Sequence, residues 1–224
     1  MAKVLNIFMA PTKVFTSLKE KPEWVTPFII VLVVIAIAAT LTVGMTRKTI
    51  MAQQEEVFRE RGMSDEQIEQ AMKFISGPAA MITSAIAAAI FTAIILLIFA
   101  VVVNLFISPF GGKGAFKSVF SVVCFSSLIK IPAAILKLIL IAITKSPYVT
   151  TSLALFVPNL AKTSFSYRLL AGFDFFIIWE IILVALGISI TNEVEKKNAY
   201  ILVFIIWTVS IFIGIALGVF GPRT

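Results

Sequence analysis

The sequence predicts an all-α membrane protein, a five-transmembrane-helix bundle with an amphipathic N-terminal interfacial segment, and three observations carry that expectation. Hydrophobic residues make up 59% of the chain and charged residues only 14%, against about a quarter charged in soluble domains. Several apolar runs reach the roughly 20 residues that a helix needs to cross a hydrocarbon layer about 30 Å thick. Pro, Gly and charged clusters separate these runs and act as helix stops.

Residues 1–23 set Val4, Leu5, Phe8, Val14, Phe15 and Leu18 against Lys3, Lys13, Lys19 and Lys21, with Pro11 dividing the stretch in two. The pattern suits short helices lying in the membrane interface; a partly disordered tail is the alternative. Residues 24–220 read as a single five-helix membrane domain with one hydrophilic loop, 46–77. The first span is expected over 24–45, with Thr26 as cap, Pro27 in the first turn, and Arg47 and Lys48 closing it. No small-residue cleavage pattern follows it, so it reads as retained rather than as a signal peptide.

The hydrophilic loop holds six acidic and five basic side chains. Ser64 followed by Gln67 is a capping-box pattern, and Ile68, Met72 and Ile75 recur at helical spacing. A short amphipathic helix outside the membrane core is predicted, packed on the bundle or the membrane surface; a docking surface for a partner is the other reading. The second span, 78–107, is longer than the core requires and is expected to tilt or project. Ala80, Ser84, Ala88 and Thr92 form a small-residue line along it that admits close approach of another helix. Ser108, Pro109 and the Gly111-Gly112 pair end it.

The third region, 116–144, is interrupted by Lys130, Pro132 and Lys137. One kinked span is preferred over an interfacial helix feeding a second segment. Residues 145–169 form a Ser- and Thr-rich loop with an apolar stretch at 153–157, suited to the membrane surface. The fourth span is placed at 170–190 and the fifth at 199–220, stopped by Gly221-Pro222. Gly214 and Gly218 give the fifth a GxxxG helix-packing face. With the N-terminus inside, the inner segments hold eight Lys/Arg and the outer segments nine, so the positive-inside rule does not orient the bundle.

The formal net charge is +7, but the cations are dispersed between the apolar runs. No folded basic face remains for nucleic acid, and anionic lipid head groups are the expected counterpart. The chain has no His and one Cys, Cys124. A Cys-His dyad, an intrachain disulfide and a His/Cys metal cage are excluded, and neither a cofactor nor enzymatic activity is expected.

Four ionisable residues fall inside expected spans: Lys130 and Lys137 in the third, Asp174 and Glu180 in the fourth. Each costs at least about 2.5 kcal/mol near the bilayer centre, so such residues find partners, water or the interface. Antiparallel spans put Lys137 level with Asp174 and Lys130 level with Glu180, and both pairings are expected on depth. The lysines share a helix face while the acids diverge by about 120°, so at most one pair is ideal. Snorkelling of Lys137 and Asp174 to an interface is the alternative.

The chain also resembles the Yip family, the Ypt-interacting membrane proteins with a five-span domain, and its bacterial members in particular. The matching residues are Pro11 with Val14 and Phe15; Pro22-Glu23-Trp24 before Pro27 and Phe28; and the connection Gly111-Gly112-Lys113-Gly114 leading to Phe116, Ser118, Ser121 and Pro132. They continue with Phe173-Asp174-Phe175-Phe176-Ile177-Ile178-Trp179, Gly187, Lys197-Asn198-Ala199 and Trp207. The resemblance covers nearly the whole chain and implies a non-enzymatic helical membrane protein. Eukaryotic members are associated with Rab-type GTPases and vesicle traffic, while some bacterial members accompany ABC-type exporters. The short stretch before the first span departs from the eukaryotic pattern, so GTPase binding is not expected to carry over, and the bacterial plasma membrane is the expected location, with the N-terminus cytoplasmic. Within the matched run, Asp174 near a helix start benefits from the positive end of the helix dipole, and Trp24 and Trp179 serve to anchor or pack helices.

Two functions remain in view: an accessory or scaffold protein bound to another membrane complex, with ABC exporter subunits as the expected partner class, and a small transporter or channel using the intramembrane Lys, Asp and Glu residues. Lipid-directed catalysis is a distant third, since Ser126 and Ser127 near Lys130 are the nearest approach to a Ser-Lys arrangement, and small polar residues in membrane helices more often serve packing.

Overall fold

The computed structural model describes residues 2–217, and they are all-helical: ten α-helices and two single 3₁₀ turns, with no strand among the described residues. The helices are α1 (Ala2–Met9), α2 (Pro11–Glu20), α3 (Val25–Glu60), α4 (Asp65–Ser76), α5 (Pro78–Ile107), α6 (Phe116–Ser126), α7 (Lys130–Thr144), α8 (Phe165–Gly172), α9 (Phe175–Thr191) and α10 (Lys196–Ala216). Four helical stretches are long and apolar enough to cross a membrane: α3, α5, α10, and Phe116–Thr144 taken through its 3₁₀ turn. The apolar α9 is shorter, at 17 residues. The chain divides into two compact units, one of residues 1–31, 93–130 and 150–224, the other of residues 32–92 and 131–149.

Pro11 opens α2 at a first-turn position, where its missing N–H is not needed. Val14, Phe15 and Leu18 of α2 are buried, and the helix packs on α9 and α6. The apolar stripe of α2 is therefore covered by protein, while on α1 Ile7 is buried and Leu5 is exposed. The centre of this unit is α6, where every residue from Ser118 to Ser126 is buried. Around α6 stand α1, α2 and α9, and α9 packs in turn on α10. Gly187 of α9 makes this possible: an added Cβ would lie 2.4 Å from Val122 Cγ1 and 3.0 Å from Phe15 Cε1.

Three aromatic groups fasten the unit. Trp24 meets Phe28 at 5.8 Å and Phe120 at 5.2 Å between ring centroids, Phe8 meets Trp179 at 6.4 Å, and Phe173 meets Trp207 at 5.1 Å. Such pairs add about 0.5–1.5 kcal/mol beyond their area burial.

In the second unit, α3 does not stop at Arg47 and Lys48. It runs on to Glu60, because a helix has no need to end where its apolar stretch ends: Ala52, Gln53, Gln54, Glu55 and Glu56 are good helix formers, and Arg59 pairs with Glu55 one turn back at 3.1 Å. Thr26 is not its cap, since the helix already includes Val25 and Phe28 N–H donates to Trp24 O at 3.0 Å. The expected loop 46–77 is thus mostly helix.

Gly62, at φ +73°, closes α3 with Met63 N–H on Phe58 O and Gly62 N–H on Arg59 O. This bond pair is the Schellman motif that favours glycine at its left-handed position. Ser64 then caps α4: Ser64 N–H donates to Gln67 Oε1 at 3.0 Å and Gln67 N–H to Ser64 Oγ at 3.3 Å. α5 spans the residues predicted for it.

Along α3, Val25, Ile29, Val33, Ile37, Leu41 and Met45 are exposed at four-residue intervals, a single apolar stripe suited to lipid. Hydroxyls in the long helices donate back into their own turns, as Thr40 does to Ala36 O at 3.0 Å and Thr46 to Thr42 O at 2.7 Å. That satisfies them where no water is present.

Candidate functional site

The polar groups of the apolar helices gather at two levels of the first unit. At one level α6 ends in the 3₁₀ turn Ser127–Ile129, and Lys130 follows as the first residue of α7. Pro132 sits two residues later, in the first turn of α7, where the absent N–H leaves no bond unmade. The kink expected within 116–144 is therefore a tightened 3₁₀ turn ahead of the proline. The turn delivers Lys130 Nζ to the carboxylate of Glu180 on α9, an ion pair whose side chains are 30% and 12% exposed. Ser127 Oγ donates to Cys124 O at 2.9 Å. Ser126 Oγ is buried, with no hydrogen-bond partner among the described residues.

Asp174 is used differently from the expected pairing with Lys137. α9 begins at Phe175, not at 170, because α8 ends at Gly172 and Asp174 is the N-cap. Its Oδ1 accepts from Phe176 N–H at 2.8 Å and from Ile177 N–H at 3.2 Å, and Thr151 Oγ1 donates to Oδ2. The carboxylate thus satisfies amide donors that a helix start leaves open. Lys137 is an exposed residue of α7 in the second unit.

At the opposite end of α9 the glycine-rich connection after α5 lies against the α9–α10 turn. Lys113 N–H donates to Asn192 O at 2.7 Å. A Cβ on Gly112 would meet Val194 Cγ2 at 2.3 Å, and one on Gly114, at φ +127°, would meet Asn192 Nδ2 at 2.5 Å. Only glycine fits both places. Asn192 is fully buried, and its Oδ1 accepts from Thr191 Oγ1 at 2.7 Å.

Ion pairs between half-exposed side chains stand near the helix ends: Lys19 Nζ to Glu193 Oε1 at 3.0 Å and Lys3 Nζ to Glu23 Oε2 at 3.1 Å. The hydrogen bond and charge of Lys19 hold the Glu193 carboxyl below its ordinary value, and those of Lys3 do the same for Glu23.

Of the expected packing residues, Ala80, Ser84, Ala88 and Thr92 are all half-buried on α5, and Gly214 is buried on α10. Ser84 Oγ donates to Met81 O at 2.8 Å, which leaves the line a largely apolar exterior. Gly218, with the Gly221-Pro222 stop, lies outside the described residues. Sequence reasoning did not single out Asn192 or the contact surface of Gly187. A glycine inside an otherwise β-branched and aliphatic helix was the available signal for the latter.

A family model described as the Yip1 domain matches residues 5–218. The chain is 27% identical over 227 residues to a protein of Bacillus subtilis (strain 168) named membrane protein YknW, covering 97% of this chain and 92% of that one. No solved structure matches the chain. The residues that carry the family resemblance are those that close the first unit: Trp24, Phe28 and Phe116 join or adjoin the Phe120 cluster, Trp179 and Trp207 hold their aromatic partners, and Gly187 admits α6 and α2.

Proposed function

Because the chain belongs to the Yip1-domain family, we propose that this membrane protein is a non-enzymatic accessory or scaffold that associates with another membrane complex, an ABC-type exporter being the partner class. The observation that carries the reading is the surface of α5. Ala80, Ser84, Ala88 and Thr92 are only half covered, while Ile82, Ile86, Ile90 and Phe91 around them are exposed. A small-residue line left partly open in this way accepts a further helix at close range. The helical extension of α3 with α4 adds a charged surface outside the apolar layer.

Affinity purification in mild detergent tests the proposal. Exporter subunits should co-purify with the wild-type chain and be lost from Ala88→Leu; no reproducible membrane partner would count heavily against it.

In this reading the bundle has five spans. α9, at 17 residues, is about 26 Å long, close to the hydrocarbon thickness of about 30 Å. The protein then resides in a bacterial plasma membrane with a cytoplasmic N-terminus, which labelling of cysteines placed at Lys3 and Glu66 from either side of the membrane would check.

A second reading, a small transporter or channel, is favoured by the Lys130–Glu180 pair, since ionisable residues inside membrane segments commonly mark ion paths. Substrate flux in proteoliposomes, abolished by Glu180→Gln, separates it from the first.

A further inference from the structure

The segment between α7 and α9 presents large apolar side chains to its surroundings: Phe156 is 78% exposed, Leu155 60% and Phe165 57%. Its height relative to α9 is fixed by backbone pairing. Leu153 N–H donates to Phe173 O at 3.0 Å, Phe175 N–H donates to Thr151 O at 3.4 Å, and Ser152 and Asp174 form an isolated antiparallel bridge.

Asp174 caps α9, so the 3₁₀ turn Leu153–Phe156 is pinned at the level where the apolar run of α9 begins. Phe175, the first residue of that run, is itself exposed, and its N–H is bonded to Thr151 O at the start of the same segment. From residue 150 to residue 173 the chain has no Asp or Glu, and its charges are Lys162 and Arg168. Asp174 adjoins the segment, but its carboxylate is taken up by the α9 cap and Thr151; the segment's own apolar, aromatic and cationic side chains match the chemistry of the head-group boundary: acyl chains on one side, phosphates on the other.

We propose that residues 151–172 form a phospholipid-binding anchor, in which Leu155, Phe156 and Phe165 enter the acyl chains just below the head groups while Lys162 and Arg168 bring positive charge to the phosphate level. The anchor holds the N-terminal end of α9 at a set depth. It rests on α9 being a membrane span, as proposed above, and is independent of whether the accessory or the transport reading is correct.

The test uses the full chain in vesicles of phosphatidylcholine and phosphatidylglycerol. Cys124 is buried and is replaced by Ala, and a nitroxide label is attached at Leu155→Cys or Phe156→Cys. Ile29→Cys on the exposed stripe of α3 is the lipid reference and Glu66→Cys on α4 the aqueous one. Oxygen, which concentrates in lipid, should relax the labels at 155 and 156 several-fold more than a water-soluble nickel chelate does, as at position 29 and opposite to position 66. Chelate access matching position 66 would overturn the proposal, as would exclusion of both relaxants, which would mean that protein covers the patch. If the Cys124→Ala background melts early, Phe156→Trp in the otherwise native chain serves instead. Its added emission should be quenched by lipids brominated near the head group, and no added quenching would likewise refute the anchor.

Discussion

Gly187 of α9 and Val122 of α6 are in such close register that a single methyl on the glycine would stand 2.4 Å from Val122 Cγ1. Phe15 of α2 closes the same place from the other side, 3.0 Å from that methyl. One glycine thereby sets the spacing of three helices.

Gly187→Ala is expected to destabilise the first unit by about 1–3 kcal/mol, the usual cost of overpacking. The melting temperature in detergent should fall. Adding Val122→Ala should recover part of the loss, because the closest obstructing atom is then removed; no recovery would show that the spacing is set elsewhere.

Removing one member of the Lys130–Glu180 pair leaves the other charge largely enclosed. Lys130→Met and Glu180→Gln are each expected to cost on the order of 3 kcal/mol, read as reduced folded yield and a lower melting temperature. The exchange Lys130→Glu with Glu180→Lys should restore most of the loss. An exchanged variant no better than Lys130→Glu alone would mean that the two residues act separately.

The Lys19–Glu193 link makes part of the stability pH-dependent. Lys19 lowers the Glu193 pKa in the folded chain below the ordinary 4.5, so the folded state favours the ionised form. The contribution is fully present above the unfolded value and is lost as pH falls through the folded one. Melting curves of wild type and Glu193→Gln should therefore differ at neutral pH and converge in acid below 4.5. Added salt should narrow the neutral difference, since both side chains are exposed.

Loss of the α9 cap is testable with Asp174→Ala, expected to cost about 0.5–2 kcal/mol and to speed amide exchange at Phe176 and Ile177. Asp174→Ser keeps an acceptor at the same place and should retain most of the protection. Lys137→Met should leave that exchange unchanged.

The all-helical class and the bounds of α5 were legible because they rest on local signals: unbroken apolar runs, Pro78 at a helix start, and the turn around Pro109. The Ser64–Gln67 capping box was legible for the same reason. The extension of α3 was not, because the change from apolar to charged residues at Arg47 marks a change of surroundings rather than of backbone conformation. Asp174 was misplaced within a span because a capping carboxylate and a buried one have the same letter. What distinguishes them is Thr151, 23 residues away in sequence and brought to it by the pairing of Leu153 with Phe173. Depth matching in antiparallel spans brought Lys130 and Glu180 under consideration together, but their meeting depends on the 3₁₀ turn after α6, which no sequence period announced.

The enclosure of α6 bears on the order in which the polypeptide is made. A helix covered from Ser118 to Ser126 takes its cover from both directions along the chain: α1 and α2 precede it, and α9 leaves the ribosome some fifty residues after it. Until that later helix arrives, the side of α6 that Gly187 will admit has no protein against it. The enclosure of α6 is therefore complete only once the C-terminal part of the chain has been made.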